Sequence, residues 1–523
     1  MRTENAIRNA AVSVVARVTE QLLAFVSRTV FILFLSTEYL GITSLFANVL
    51  NVLNLAELGV GTAINVALYK PLAIDDRDKV KSLMRMYKIA YRWIGFAVLA
   101  VGMALLPFLP YLVKGTTKLV NLSMVYGIYL AKSVLSYWLF AYKRSLLEAD
   151  QKGYVVSIIS YGLACLWKLI QIALLFCLRS TPELSFYVYC ASDMLCSVVT
   201  NLMIAAKVNK RYTFILENNA APLPADERKS LFKNVYGVAL YKLSSTLNGS
   251  ADSIIISSFL GTVLLGLYSN YLLIAGAVVK IINMLFNSLT ASVGNLNALA
   301  STEKKNEVFN ALHLASLWIN GFCIICLWVL LNPFFATIWI GSEYELPELV
   351  VFTMCMNYLV DCLMESPIRF RNAAGLYWQS RYRAIVTVIV NVTLSILAVT
   401  VFDWGIPGIL LATIISRLGV TLWVDSYLVH KYVLERSPWP YLRKYFVSLA
   451  LVIGTGAMIK GFCCSMPEDS VPFFLLRVLL CITVPNLLWW LLFRKTSDYM
   501  YLKDMVLRLF DKLKHRRKDR IAG

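Results

Sequence analysis

The sequence predicts an all-α integral membrane protein of about 14 transmembrane helices, arranged as two six-helix lobes around a central cavity, with two more helices after them. Three observations predict it: the composition, the succession of apolar runs with alternating loop charge, and an internal repeat. Of the 523 residues, 59% are apolar and 15% charged, whereas a soluble domain carries about 25% charged residues. No fold of a soluble chain hides that much apolar surface, but lipid can cover the outer faces of helices.

Apolar segments fall at about 10–35, 41–69, 89–113, 120–143, 154–178, 184–207, 234–259, 264–297, 309–340, 347–371, 379–402, 405–429, 444–463 and 471–493. Each approaches or exceeds the roughly 20 residues that a helix needs to cross the hydrocarbon. Backbone polar groups in lipid must bond within their own segment, so these segments read as helices. Alternate connections are basic: Arg77 to Lys88, then Lys143, Arg144 and Lys152, then Lys210 to Lys233, then Lys304 and Lys305, then Arg369, Arg371, Arg381 and Arg383, then Lys431 to Lys444. The intervening ones hold Glu38, Glu183, Glu343, Glu345, Glu348, Asp403, Glu468 and Asp469 beside a few cations. The positive-inside rule makes the first set cytoplasmic. Fourteen spans preserve this alternation and place both termini inside, where 13 or 15 would break it.

The block Phe34–Gly41 aligns with Phe259–Gly266 at an offset of 225, matching at five of eight positions, and Ser44 matches Ser269. The offset equals six spans. An even number preserves orientation, so the lobes are expected to be parallel repeats about an axis along the membrane normal. The expected parts are a first lobe over 1–208, a cytoplasmic linker over 209–233, a second lobe over 234–431, two additional helices over 444–493 and a basic tail over 494–523. Gly59, Gly61, Pro367 and Pro407 mark bends. In the tail, Leu502, Met505, Val506, Leu509 and Leu513 recur at helical spacing among ten Lys and Arg and four Asp. That pattern predicts an amphipathic helix on the anionic inner surface. The first span has no cleavage pattern and is expected to be retained.

The net charge of +19 sits mostly in short connections and the tail. An anionic leaflet explains it better than nucleic acid does. The 11 cysteines lie mostly within apolar segments, without zinc spacing or a disulfide framework. No metal or cofactor is expected. GxxxxGK[ST], HExxH and GxSxG are all missing, so the reading is a non-enzyme driven by an ion gradient, the membrane potential or the substrate gradient.

Ionisable residues within spans are costly and are functional by default. Glu20, Glu57, Lys132, Lys168, Lys242, Lys280, Asp361 and Arg417 lie near mid-span. Arg17, Arg28, Asp193, Asp252, Glu365 and Asp425 lie off-centre. In the first span Arg17, Glu20 and Arg28 share one helix face with Gln21 and Ala24, and in the eighth Lys280 shares one with Asn283, Asn287, Thr290 and Gly294. Five central cations against three acids predict a wet cavity that attracts anions, with phosphate or pyrophosphate as the natural ligand and Arg28 and Arg417 able to chelate it. Lys132, Lys168 and Lys280 are expected to be unpaired and to face that cavity. Glu20, Glu57, Asp252, Asp361 and Glu365 are candidates for ion coupling, with local ion pairing the competing role for Glu20, Asp361 and Glu365.

Two stretches carry a family resemblance. One runs through Leu40-Gly41-Ile42, Leu45-Phe46, Leu55-Ala56-Glu57-Leu58-Gly59-Val60-Gly61-Thr62-Ala63 and Leu68-Tyr69-Lys70-Pro71-Leu72-Ala73. The other is Tyr142-Lys143-Arg144-Ser145-Leu146-Leu147-Glu148-Ala149-Asp150-Gln151-Lys152-Gly153-Tyr154. Over spans one to five the chain resembles Wzx-type polysaccharide-unit flippases of the multidrug/oligosaccharidyl-lipid/polysaccharide exporter (MOP) superfamily. The resemblance implies alternating access and an undecaprenyl-pyrophosphate-linked oligosaccharide as cargo, moved across a bacterial cytoplasmic membrane for surface polysaccharide synthesis. It implies membrane lipids and other polysaccharide assembly proteins as partners of a monomeric chain. Arg17, Arg28, Lys242, Lys280 and Arg417, with Lys132 and Lys168, are the expected counterparts of cationic cavity residues, by location and not by a matched motif. The alternatives are an ion-coupled multidrug exporter of the same superfamily and a polytopic glycan-processing enzyme.

Overall fold

The computed structural model describes residues 19–57, 60–114, 119–217, 221–224, 227, 246–247, 249–376, 378–467, 470–505 and 507. Arg17, Lys242, Gly59 and most of the basic tail lie outside them. Every regular element among the described residues is helical. In chain order these are α1 (19–34), α2 (Thr37–Leu53), α3 (Val60–Ala73), α4 (Arg77–Leu112), α5 (Leu122–Trp138), α6 (Ala141–Ala149), α7 (Gly153–Cys177), α8 (Pro182–Arg211) and α9 (Gly249–Leu260). Then follow α10 (Thr262–Leu299), α11 (Thr302–Thr337), α12 (Glu348–Cys362), α13 (Glu365–Ala373), α14 (Arg381–Thr400), α15 (Gly405–Leu434), α16 (Trp439–Cys463), α17 (Val471–Phe493) and α18 (497–505).

Ten described helical spans are long and apolar enough to cross a membrane, with α12 and α13 taken together, and 11 if the bent pair α5 and α6 also counts as one span. Helix also occupies part of the three other expected segments. The first and seventh run into residues outside the description. The second is broken: α2 tightens into a 3-10 turn over Asn54–Glu57 and α3 starts at Val60, so this stretch is not a single rod. The tenth expected span divides into α12 and α13 at Leu363 and Met364. Pro367 accounts for this break, because its ring excludes a helical carbonyl four residues back, at Leu363. Pro407, by contrast, sits in the first turn of α15, where a missing N–H costs nothing. Polar caps start several helices: Asp76 accepts from the Lys79 backbone N–H at 3.0 Å, and Asn121 from that of Met124 at 3.2 Å.

The chain forms two compact units, Met1–Asn270 and Tyr271–Gly523. Within the first, the repeated blocks meet each other. A Cβ built on Gly41 would stand 1.8 Å from the Thr262 carbonyl oxygen, and one on Gly266 would stand 2.0 Å from that of Thr37. Thr37 and Thr262, like Gly41 and Gly266, are one repeat apart, so the contact is reciprocal, as a local two-fold between parallel copies requires. Small residues at four-residue spacing let two helix backbones touch where lipid supplies no hydrophobic drive.

In the second unit α11 is the hub. Its Gly321 admits the Trp489 ring of α17, and Gly456 of α16 admits Trp328 of α11. Trp489 is fully buried and donates to Thr455 at 3.3 Å. The described start of the tail docks on this unit: Asp498 pairs with Lys444 at 3.0 Å, and Lys304 lies 4.3 Å from the Tyr501 ring centroid. Of the stripe expected in the tail, Leu502 and Met505 fall on α18, while Val506, Leu509 and Leu513 lie outside the described residues.

Candidate functional site

The first unit gathers cations from three helices around Tyr189 of α8. Lys168 of α7 donates to Gln171 at 3.0 Å and to the Tyr189 hydroxyl at 3.5 Å. Its ammonium also lies 5.7 Å from the Tyr189 ring centroid. Arg28 of α1 donates to Ser269 at 3.2 Å and is close enough to Lys168 for the two charges to repel. Lys132 of α5 pairs with Asp193 of α8. Helical spacing explains the convergence: Lys168 and Gln171 are three apart on α7, and Tyr189 and Asp193 four apart on α8, so each pair shares a face. Three cations thus meet one carboxylate. The expectation that Lys132 is unpaired is corrected by Asp193, an off-centre acid one helix away. Lys168 instead makes its direct hydrogen bonds to neutral polar groups, and Asp193 acts on it only through space.

A second cluster surrounds Glu57. Tyr91 donates a hydrogen bond to its carboxylate and Tyr137 also bonds it. The Tyr91 ring stands edge-on to Tyr87 at 4.9 Å and to Tyr137 at 5.7 Å. Asn48, Asn51, Asn54 and Glu57 recur every three residues and line a polar cavity of about 400 Å³ with Thr246, Gly249 and Ser250. Asn54 accepts from Ser133 at 2.6 Å. A carboxylate bonded by two phenols, in a cavity that three amides also line, is suited to a cation, a proton or sugar hydroxyls. Asp252 is buried on α9, and Glu20 is half-buried on α1. Its expected partner Arg17 lies outside the described residues, as does Lys242.

In the second unit Arg417 opens a π-helical segment, Arg417–Thr421, inside α15. The extra residue of a π turn redirects a side chain, and such turns recur at functional sites. The guanidinium donates to the Asn357 carbonyl and side chain at 2.8 and 2.6 Å and lies 3.9 Å from Asp361. Asp361 is half-exposed, so this pairing is loose. Glu365 is buried and paired with Arg369 at 2.6 Å, and Arg369 also bonds Asn287. Lys280 is exposed on α10, and among the described residues no carboxylate pairs with it. An apolar groove of about 270 Å³ runs between α10, α11 and α17, lined by Ile274, Val278, Phe322, Leu330 and Phe474 among others.

Sequence reasoning did not foresee the partners of the arginines in one basic connection. Arg369, Arg371 and Arg383 are expected in a cytoplasmic loop, yet Arg371 is 1% exposed and bonds both oxygens of Asp425 at 2.7 Å, while Arg383 bonds the same carboxylate at 2.8 Å. Asp425 was the available signal, since an acid within a span demands a cation. Arg477 was also missed. It is buried in α17 and donates to the Met466 carbonyl at 2.7 Å.

Neither a family model nor a curated protein matches the sequence. Solved structures do match in fold. One is described as lipid II flippase MurJ in an inward closed conformation, with a TM-score of 0.64 at 13% identity over 92% of this chain and 98% of that one. Another is an inward-facing multidrug resistance MATE transporter, with a TM-score of 0.64 at 14% identity over 79% and 97%. A third is a MOP-superfamily transporter from Pyrococcus furiosus, described as having a binding pocket of reverse polarity, with a TM-score of 0.55 at 14% identity over 83% and 97%. The chain is therefore a multi-pass membrane protein with the all-helical fold of the MOP-superfamily transporters and flippases.

Proposed function

We propose that this protein is a flippase that moves an undecaprenyl-pyrophosphate-linked oligosaccharide across a bacterial cytoplasmic membrane by alternating access, for surface polysaccharide synthesis. The observation that carries the reading is the cluster of Arg28, Lys132 and Lys168 around Tyr189, with Asp193 as its one paired acid. A pyrophosphate supplies the missing negative charge, and guanidinium and ammonium groups recognise phosphate oxygens. The asparagine stripe of α2 offers donors and acceptors to sugar hydroxyls. The apolar groove of the second unit suits an isoprenoid chain. Arg417 with Asn357, and Lys280, are further substrate-contacting candidates, as are Arg17 and Lys242.

The test is flipping in proteoliposomes loaded with a defined undecaprenyl-pyrophosphate-linked glycan. Loss of a charge-assisted hydrogen bond is worth about 1.5–3 kcal/mol, so Lys168→Gln is expected to slow flipping at limiting substrate by about tenfold or more. Wild-type rates in Lys168→Gln and Arg28→Gln, at normal folded yield, would dismiss the anion site.

A second reading, an ion-coupled multidrug exporter, draws on Glu57 and its tyrosines. Under either reading Glu57 is the strongest coupling candidate, ahead of Glu20, Asp252, Asp361 and Glu365. Glu57→Gln is expected to abolish acceleration by an imposed sodium or proton gradient while leaving uncoupled exchange. A gradient response unchanged in this variant would remove Glu57 from the coupling role.

A further inference from the structure

A basic, aromatic groove lies on the first unit apart from the cluster around Tyr189. One cavity of about 510 Å³ is lined by Lys88, Arg92, Phe96, Tyr137, Trp138, Phe140 and Tyr142. A second, of about 560 Å³, shares Lys88, Phe140 and Tyr142 and adds Arg85 and Lys143. The acid in these walls, Glu217, is held by Lys81 at 2.8 Å. Among the described residues no carboxylate pairs with Lys88 or Arg92.

The groove is built by local departures from regular helix. Phe140 takes a left-handed conformation at φ 64°, in the 49° bend between α5 and α6. A bulky residue at positive φ is strained and is retained only where its surroundings hold it. There its ring stands 4.6 Å from the Lys143 ammonium, which donates to Asn209 at 2.5 Å. On the other wall, Gly95 leaves room for Trp138, because a Cβ there would lie 2.3 Å from the indole nitrogen. That nitrogen donates to the Arg92 carbonyl at 3.4 Å, and the Trp138 ring packs 5.0 Å from Phe96.

Depth follows from length. The 36 residues of α4 extend about 54 Å at the helical rise, well beyond the ~30 Å hydrocarbon core. Arg77 to Lys88 form its polar end, and the apolar run starts at Ile89, so Lys88 and Arg92 stand at the interface. Trp93 and Phe96 are exposed beside them, as in an interfacial aromatic belt. By the charge rule this is the cytoplasmic side.

We propose that Lys88 and Arg92, in the added field of Lys143, bind the phosphate of an anionic phospholipid of that leaflet, with an acyl chain against Phe96 and Trp138. Unpaired interfacial cations over an aromatic wall match a phosphodiester joined to a hydrocarbon chain. The site does not depend on which cargo is carried.

Quenching of tryptophan fluorescence by brominated phosphatidylglycerol and brominated phosphatidylcholine tests it, with Trp138→Phe and Trp93→Phe assigning the local signal. An interfacial cation contributes about fivefold in affinity. The purified full-length protein should therefore prefer phosphatidylglycerol by several-fold at low salt, and the preference should shrink as salt rises. K88Q/R92Q should bring it close to unity, and K88R/R92K should keep it. Equal quenching by the two lipids, a preference insensitive to salt, or one that survives K88Q/R92Q would each overturn the proposal. Undecaprenyl phosphate displacing the quencher at a far lower mole fraction than phosphatidylglycerol does would assign the same chemistry to a carrier lipid and overturn the phospholipid assignment.

Discussion

Gly41→Ala is expected to destabilise the protein by about 3 kcal/mol, the upper end of the over-packing range. The added methyl would stand 1.8 Å from the Thr262 carbonyl oxygen, an atom of the backbone, which cannot rotate away. The opposing effect is smaller: alanine in place of glycine in a helix gains about 1 kcal/mol. The α2–α10 crossing must therefore open. Gly266→Ala should do the same through Thr37, and the double variant should cost less than the sum, because either change separates the same two helices. Gly127→Ala and Gly162→Ala are the controls, since nothing lies within 4 Å of a Cβ at either position. The melting temperature in detergent and the folded yield by size-exclusion chromatography decide the matter. A Gly41→Ala protein that melts with the controls would show that the two helices do not touch in this way.

The second large effect is expected at Asp425. Its carboxylate is fully buried and serves both Arg371, at 2.7 Å, and Arg383, at 2.8 Å. Asp425→Asn leaves two guanidinium groups without their counter-charge. Breaking a buried pair by removing one partner costs about 3–5 kcal/mol, against at most about 1 kcal/mol for an exposed pair such as Lys444–Asp498. The Asn variant should lose most of its folded yield, and Asp498→Asn should be close to wild type. Because an apolar replacement of a whole buried ion group is often neutral, the triple variant Asp425→Leu with Arg371→Met and Arg383→Met should recover much of the loss. An Asp425→Asn protein as stable as Asp498→Asn would show that water reaches the cluster and screens it.

The helices were readable because the bilayer imposes one rule on every span: apolar outside, bonded within. That rule leaves a linear trace, from the run opening at Ile89 to the one closing at Phe493. The breaks were readable only where a residue type announces them. Pro367 divides α12 from α13, but the left-handed Phe140 carries no such mark. The block beginning at Phe34 gave away its copy at Phe259, but not that Gly41 and Gly266 would face each other's threonine partners.

Pairing was much less visible. Lys132 and Asp193 lie 61 residues apart, and Arg371 and Asp425 lie 54 apart, so nothing in local spacing joins them. For the same reason a loop-like run of arginines concealed two that are buried.

Sequence by itself determined that this is a helical membrane protein with buried cations, because hydropathy and charge are properties of residues and survive being read in a line. Tertiary structure alone decided which cations are neutralised and which keep their field, because that depends on distances between helices far apart in the chain. It neutralised Lys132 with Asp193, buried Arg371 and drew Arg383 to the same Asp425, while Lys168 and Arg28 hydrogen-bond only neutral groups.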